Sequence, residues 1–234
     1  MAELLDVLRT EQKYILNPLE KAHLEFVLNG ALHRDIHSVG QGYMVRTLYF
    51  DTWDDRDFYD KVDGLEMRRK IRLRIYEPNA PYARLELKEK QGSLQRKRSL
   101  QLTQEQALCL CAGDYKPLMQ MDSDFAMELY TRMQQFCYRP KCIVEYDRIA
   151  FAVPENDTRI TLDANLRASE SRLDLFASDL ALYPAGVPGQ VTMEVKFNGF
   201  LLSYVKDLVS LSSRTRCSSS KYCIARNITL REDS

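Results

Sequence analysis

The chain has 234 residues, and its 33 Lys and Arg balance 33 Asp and Glu, so the formal net charge is zero, which taken globally argues against an anionic partner. No apolar run is long enough to cross a bilayer and no charged-then-apolar leader follows Met1, so the expectation is one cytoplasmic domain over residues 1–234, a length that all-β barrels reach as single units. The six cysteines lack paired C-x-x-C spacing and read as buried, reduced thiols; His23, His33 and His37 have no acidic or thiol companions at ligand spacing and read as surface residues.

In chain order, strand-like alternation covers Arg9 to Ile15, followed by Asn17-Pro18 and the apolar positions Leu19, Ala22, Leu24, Phe26 and Val27, which predict a capped helix with Pro at its first position. Further strands are predicted over Arg46 to Asp51, Arg68 to Tyr76, Ala83 to Lys90 and Gln95 to Leu102. Thr103-x-x-Gln106 opens a second helix as a capping box, ending at Gly113, and Asp122 to Phe136 places Phe125, Leu129, Met133 and Phe136 on one helical face. Strands follow over Ile143 to Val153 and Arg159 to Leu166, then a loop over Asp174 to Pro188, a strand over Val191 to Phe197 and a fourth helix over Leu201 to Leu211. Eight mostly sequential strands with four scattered helices predict a β-rich α+β fold whose centre is a closed, antiparallel, eight-stranded β-barrel.

Charge is segregated along this chain: Glu66 to Arg98 holds 11 Lys and Arg against 4 Glu, leaving a deficit of seven elsewhere. Between Arg68 and Tyr76 the even positions Arg68, Lys70, Arg72 and Arg74 share one strand face, opposite Ile71, Leu73 and Ile75. Neighbouring cations about 7 Å apart repel by roughly 0.6 kcal/mol in water and about 2 kcal/mol at an effective dielectric near 20, so an enclosed row requires anions. The next strand repeats the device with Arg84, Glu86, Lys88 and Lys90; after Gly92, Arg96 and Arg98 share a face opposite Lys97. Periodicity alone also fits an ordinary sheet with its polar side in water, although solvated faces usually mix signs. Turned inward, these rows line a basic tunnel whose natural guest is a chain of phosphates, because Arg forks match phosphate oxygens. A nucleic acid is the competing guest, with Tyr76 and Tyr82 as weak candidates for base stacking. Glu11-x-Lys13 and Glu194-x-Lys196 are cross-strand ion pairs or, beside bound phosphate, ligands for a hard divalent cation.

Set in order, Arg9-x-Glu11-x-Lys13-Tyr14, Thr47-Leu48-Tyr49-Phe50-Asp51-Thr52, Lys70-x-Arg72-x-Arg74-x-Tyr76, Glu86-x-Lys88-x-Lys90, Lys97-Arg98, Glu145-Tyr146-x-Arg148, Arg159-x-Thr161-x-Asp163, Glu194-x-Lys196 and Ser220-Lys221-Tyr222 resemble the triphosphate tunnel metalloenzymes, and more closely the VTC-type polyphosphate polymerase domain. The resemblance implies Arg72, Arg74, Lys88 and Lys221 as catalytic groups, with Lys221 near a tunnel mouth after the last helix, and Lys13, Lys70, Lys90, Arg98, Arg148, Arg159 and Lys196 as substrate-binding groups. Glu194, with Glu11, would hold Mn²⁺ or Mg²⁺. Of Glu145 and Arg148, which have opposite parity on an undistorted strand, Arg148 is taken as the inward one. The tunnel hydrolases carry Glu where this chain has Arg9, which favours the polymerase-like branch. The expected reaction is metal-dependent transfer of the γ-phosphoryl group of ATP to inorganic polyphosphate by a stand-alone module without a sensor domain or membrane anchor. Hydrolysis of tripolyphosphate or a nucleoside triphosphate, and non-catalytic polyanion binding, are the alternatives. ATP and polyphosphate are the expected partners and nucleic acid is not, while a membrane partner for the polymer is left open.

Overall fold

The computed structural model describes residues 4–38, 40–92, 94–210 and 213–230, the last three by backbone alone. The elements run β1 (Leu5–Leu16), α1 (Pro18–Ala31), β2 (His33–Arg34), β3 (Tyr43–Asp51), α2 (Arg56–Val62), β4 (Met67–Ile75), β5 (Tyr82–Gln91), β6 (Leu94–Thr103), α3 (Gln104–Cys111), α4 (Asp124–Gln135), β7 (Arg139–Val153), β8 (Thr158–Ser169), β9 (Tyr183–Pro184), β10 (Val191–Phe197), α5 (Ser203–Leu208) and α6 (Lys221–Leu230). Going round the sheet, β7, β3, β4, β5, β6, β1, β10 and β8 pair in that order, and β8 returns to β7, so eight antiparallel strands close into a barrel. The two-residue strands β2 and β9 extend its rim on β7 and β8.

All eight predicted strands are present. The helix over Leu201 to Leu211 is shorter than predicted, at Ser203–Leu208, and Leu211 lies outside the described residues. Two helices, α2 and α6, were not anticipated, and the Ser220-Lys221-Tyr222 motif opens a helix rather than following the last one. Caps fix where α1 and α3 begin. Asn17 Oδ1 accepts from Glu20 N at 2.9 Å while Glu20 Oε2 accepts from Asn17 N at 2.8 Å, and Thr103 and Gln106 exchange the same two bonds. His23, His33 and His37 are exposed, as expected; Cys142 and Cys223 are buried, but Cys137 is exposed just past α4.

The apolar faces point outward under helices, so the hydrophobic core is a jacket around the barrel. On one side Ile71, Leu73, Ile75, Leu85, Leu87, Leu100 and Leu102 pack under Ala107 and Leu110 of α3 and Phe125, Leu129 and Met133 of α4. On the other, Phe151, Ile160, Leu162, Met193 and Val195 pack under Leu24 and Leu28 of α1 and Val205 of α5. Each fully buried Leu, Ile or Phe contributes about 1.5–3 kcal/mol, enough to fix which face of every strand turns away from the lumen. A third cluster joins the lumen-side Val45, Tyr49, Val144 and Tyr146 to Phe58 of α2 and Tyr222, Cys223 and Ala225 of α6. Both unanticipated helices therefore pack at the barrel end where β3 finishes and β7 begins. Among the described residues no helix is long and apolar enough to cross a membrane.

Candidate active site

Register decides which cations meet. Arg68 pairs with Lys90, Lys70 with Lys88, Arg72 with Glu86 and Arg74 with Arg84 across β4 and β5. Lys88 in turn pairs with Lys97 across β5 and β6. With the aliphatic faces held outward, Arg68, Lys70, Arg72, Arg74, Lys88, Lys90 and Lys97 turn into a cavity of about 410 Å³ that runs through the barrel, while Arg84 stays exposed outside it. Among the described residues, fifteen Lys and Arg line it against three Glu, and with Glu86 and Asp163 paired to five of these cations the lining still carries an excess of positive charge that favours bound anions.

Carboxylates sit inside this basic lining as fixed bridges. Glu194 Oε1 lies 3.0 Å from Lys13 and 3.2 Å from Lys221, and its Oε2 lies 2.5 Å from Lys196 and 3.5 Å from Arg148. Burial alone would raise its pKa, but Lys13, Lys196, Lys221 and Arg148 outweigh that and hold it well below the usual carboxylate range. Glu11 lies 3.1 Å from Lys13 and 3.6 Å from Lys88, and these lysines likewise overcome burial and hold it low. The pairing of Glu11 with Lys196 and of Lys13 with Glu194 across β1 and β10 sets the two glutamates diagonally on one wall, with Lys13 between them.

Two acids that sequence reasoning left without a role order the cations. Asp163 accepts from Arg148 Nε at 2.6 Å and Nη2 at 2.7 Å and lies 2.5 Å from Lys221. Glu86 accepts from Arg72 Nε at 2.7 Å and stands 3.6 Å from both Arg74 and Lys97. Both belonged to recognised motifs, and their position on the charged strand faces was the available signal. Not every lysine is held charged by its neighbours. Burial pushes Lys88 down to about 7, with Glu11 only partly opposing it, and Lys70 down to about 8.

Lys221 enters from the end of the barrel, as the first residue of α6. Tyr222 fixes that entry: its ring stacks on Tyr49 with centroids 5.0 Å apart, and its hydroxyl donates to Asp51 Oδ2 at 2.6 Å. Asp51 also accepts from the backbone N–H groups of Asp57 and Phe58, tying α2 to the same point. The neighbouring segment completes the wall, since Cys217 N donates to Lys13 O where β1 runs beyond β6. On the other side, Gly42 (φ +96°) lets β3 start against Arg148, whose carbonyl oxygen would lie 2.2 Å from any added Cβ.

Of the sequence-predicted residues, Lys13, Lys70, Arg72, Arg74, Lys88, Lys90, Arg148, Arg159, Lys196, Lys221, Glu11 and Glu194 all line the cavity. Arg98 does not. It shares the outward face of β6 with Leu100 and Leu102, where Glu89 and Glu128 hold it at 3.0 and 2.5 Å and its guanidinium covers Phe125. Lys97 lines the lumen in its place. Glu145 also faces outward, paired with Arg46 and Arg167, which leaves Arg148 as the inward residue as expected; a register shift between β7 and β8 falls between Glu145 and Asp147.

An antiparallel barrel of this kind, filled with phosphate-matching cations, narrows the families to compare. Residues 8–230 match the VTC domain family. The chain belongs to the VTC domain family. No curated protein matches this VTC domain by sequence. Among solved structures it is similar to a Hippeastrum protein, HpAC1, proposed as an adenylyl cyclase and described as having a dominant triphosphatase activity (TM-score 0.55, 12% identity, covering 97% of this chain and 96% of that one). It is similar also to a Bacillus halodurans protein proposed as an adenylate cyclase (TM-score 0.53, 12% identity, 92% and 95% covered) and to a chain of the Schizosaccharomyces pombe Mediator head module (TM-score 0.51, 9% identity, 90% and 98% covered). At these identities the likeness establishes the triphosphate tunnel fold.

Triphosphate tunnel proteins generally use divalent metals, and the residues of this VTC domain fit one held jointly with substrate. Among the described residues no group of three or more His, Cys, Asp or Glu could form a closed protein cage. Glu11 Oε1, buried 3.1 Å from Lys13, shares a wall of the cavity with Glu194. One or two carboxylates plus phosphate oxygens are the donor set that Mg²⁺ and Mn²⁺ take beside phosphate.

Proposed function

We propose that this VTC domain transfers the γ-phosphoryl group of ATP to the end of a growing inorganic polyphosphate chain, releasing ADP and using Mn²⁺ or Mg²⁺ on Glu194 with help from Glu11. The observation that carries this reading is the enclosed lumen itself, where fifteen cations against three glutamates suit a linear polyanion better than a compact one. Arg72 and Arg74, set by Glu86, and Arg148, set by Asp163, hold phosphate oxygens in fixed directions and align donor and acceptor. Lys88, Lys13 and Lys221 neutralise charge as it shifts from the breaking P–O bond to the leaving ADP. The attacking phosphate oxygen is already ionised near neutral pH, so no His or Ser base is required. The metal, when bound, adds charge neutralisation across neighbouring phosphate oxygens.

Hydrolysis is the second reading, favoured by the triphosphatase activity of the Hippeastrum neighbour. Purified protein incubated with ATP and Mn²⁺, with and without chelator, separates the two when products are resolved by length. Lengthening polyphosphate, lost in Glu194→Ala and Arg72→Ala, supports the polymerase; ADP and orthophosphate with no lengthening chain replace it with the triphosphatase. Salt-sensitive binding without turnover would leave only a polyanion-binding module.

A further inference from the structure

Arg69 breaks the pattern of its strand. On β4 the even positions face the lumen and Ile71, Leu73 and Ile75 face the apolar jacket, yet Arg69, which shares the parity of the jacket residues, lines the cavity. It stands near the start of β4, where α2 packs on the sheet. Its partner in register is Glu89, whose carboxylate is taken by Arg98 at 3.0 Å. Among the described residues, the carboxylate that Arg69 does reach is that of Asp57 in α2, at 3.9 Å. That contact is looser than the 2.6 Å pairs of Arg72 with Glu86 and of Arg148 with Asp163.

Asp57 is fixed and Arg69 is free to turn. Asp57 is 1% exposed, its N–H donates to Asp51 Oδ1 at 2.9 Å, and its Oδ2 accepts from the Tyr138 hydroxyl at 2.9 Å. The Arg69 side chain is 29% exposed. Around Asp57, Asp51 of β3 and Asp60 of α2 add negative charge and Arg69 of β4 adds positive charge. Tyr222 of α6 donates to Asp51, and Asp55, nearby, is engaged by Lys141 and Arg226. Burial first, and then Asp51, push the Asp57 carboxyl up to about 7. A neutral acid holds a guanidinium weakly, whereas the carboxylate competes for it.

We propose that Arg69 is a further polyanion-binding residue of the lumen, and that Asp57 governs it, yielding the guanidinium to bound phosphate when protonated and withholding it when ionised. The inference rests on the reading that a phosphate chain enters the lumen. A phosphate that draws Arg69 away removes positive charge from beside Asp57, so binding takes up a proton there and weakens as pH rises through about 7.

Calorimetric titration of inorganic tripolyphosphate into the full chain, at about pH 6 and at about pH 8.5, tests it. Asp57→Asn still accepts from Tyr138 and mimics the protonated acid. It is expected to match wild type at the lower pH and to bind about three- to tenfold more tightly than wild type at the higher one. Comparing the two proteins at one pH cancels the titration of Lys88 and of the ligand. Arg69→Met is expected to bind several-fold more weakly at the lower pH, and adding Asp57→Asn to it is expected to change nothing at either pH. No gain in Asp57→Asn at the higher pH overturns the inference. So does a gain that survives in the Arg69→Met background, since it would act through Asp51 and α6 instead. Either result leaves the proposed function standing, whereas a wild-type chain that binds no tripolyphosphate at the lower pH overturns both.

Discussion

Replacing Glu86 with glutamine preserves the shape of the side chain and removes the charge at the centre of the cation rows. Glu86 is 1% exposed, with Arg72 at 2.6 Å and Arg74 and Lys97 each at 3.6 Å. Leaving buried cations without their acid costs about 3–5 kcal/mol. In a domain of this size each kcal/mol moves Tm by roughly 2–4 °C, so the empty Glu86→Gln protein is expected to melt roughly 6–20 °C below wild type. Inorganic tripolyphosphate supplies the missing negative charge. Removing a carboxylate about 6 Å from a phosphate relieves at most roughly 3 kcal/mol of repulsion at an effective dielectric near 20, so the variant binds the anion more tightly and the gap in Tm narrows as ligand is added. Thermal unfolding with and without tripolyphosphate, in buffer free of sulfate and phosphate, measures both. An unchanged gap at saturating ligand would refute the idea that Glu86 balances the same cations that phosphate engages.

The face correction on β6 has its own test: Lys97→Ala is expected to weaken tripolyphosphate several-fold by calorimetry, whereas Arg98→Ala lowers Tm with little change in that affinity. Lys88, lowered to about 7 by burial, is largely neutral above that pH in the empty lumen and charged beside phosphate. Anion binding therefore takes up a proton and weakens as pH rises from about 7 to 9; calorimetry in buffers of different ionisation enthalpy is expected to show that uptake, and Lys88→Met to reduce it. Asp51→Asn disturbs the acceptor shared by Tyr222 and the first turn of α2 and is expected to cost about 1–3 kcal/mol in chemical denaturation, with a larger fractional loss of turnover than Tyr222→Phe.

The strands were legible because charge and aliphatic residues alternate on them with period two, and the eight-stranded count followed from that alone. Helix α2 offered little to read: its seven residues bury just Asp57 and Phe58. Helix α6 was hidden because its first residues carry the site motif, so Lys221 and Tyr222 were read for chemistry rather than for periodicity. The choice of Arg98 over Lys97 was avoidable. Leu100 and Leu102 share parity with Arg98, and two buried leucines outrank one arginine in deciding which face turns to the apolar jacket. Glu86 and Asp163 were harder, since a carboxylate that orients a guanidinium looks the same in sequence as one that meets solvent.

The closure of the barrel between β1 and β10 also bears on how the protein is made. Lys13 pairs with a residue about 180 positions later, and Cys217 caps the same stretch of β1 later still. At roughly 5–20 residues per second of synthesis, β1 waits on the order of 10–40 s with that edge unpaired, at a stage when an apolar strand would recruit neighbouring chains. Arg9, Glu11 and Lys13 spend that interval as gatekeepers, their charges keeping the bare edge from pairing with another chain before the lumen they are to line exists.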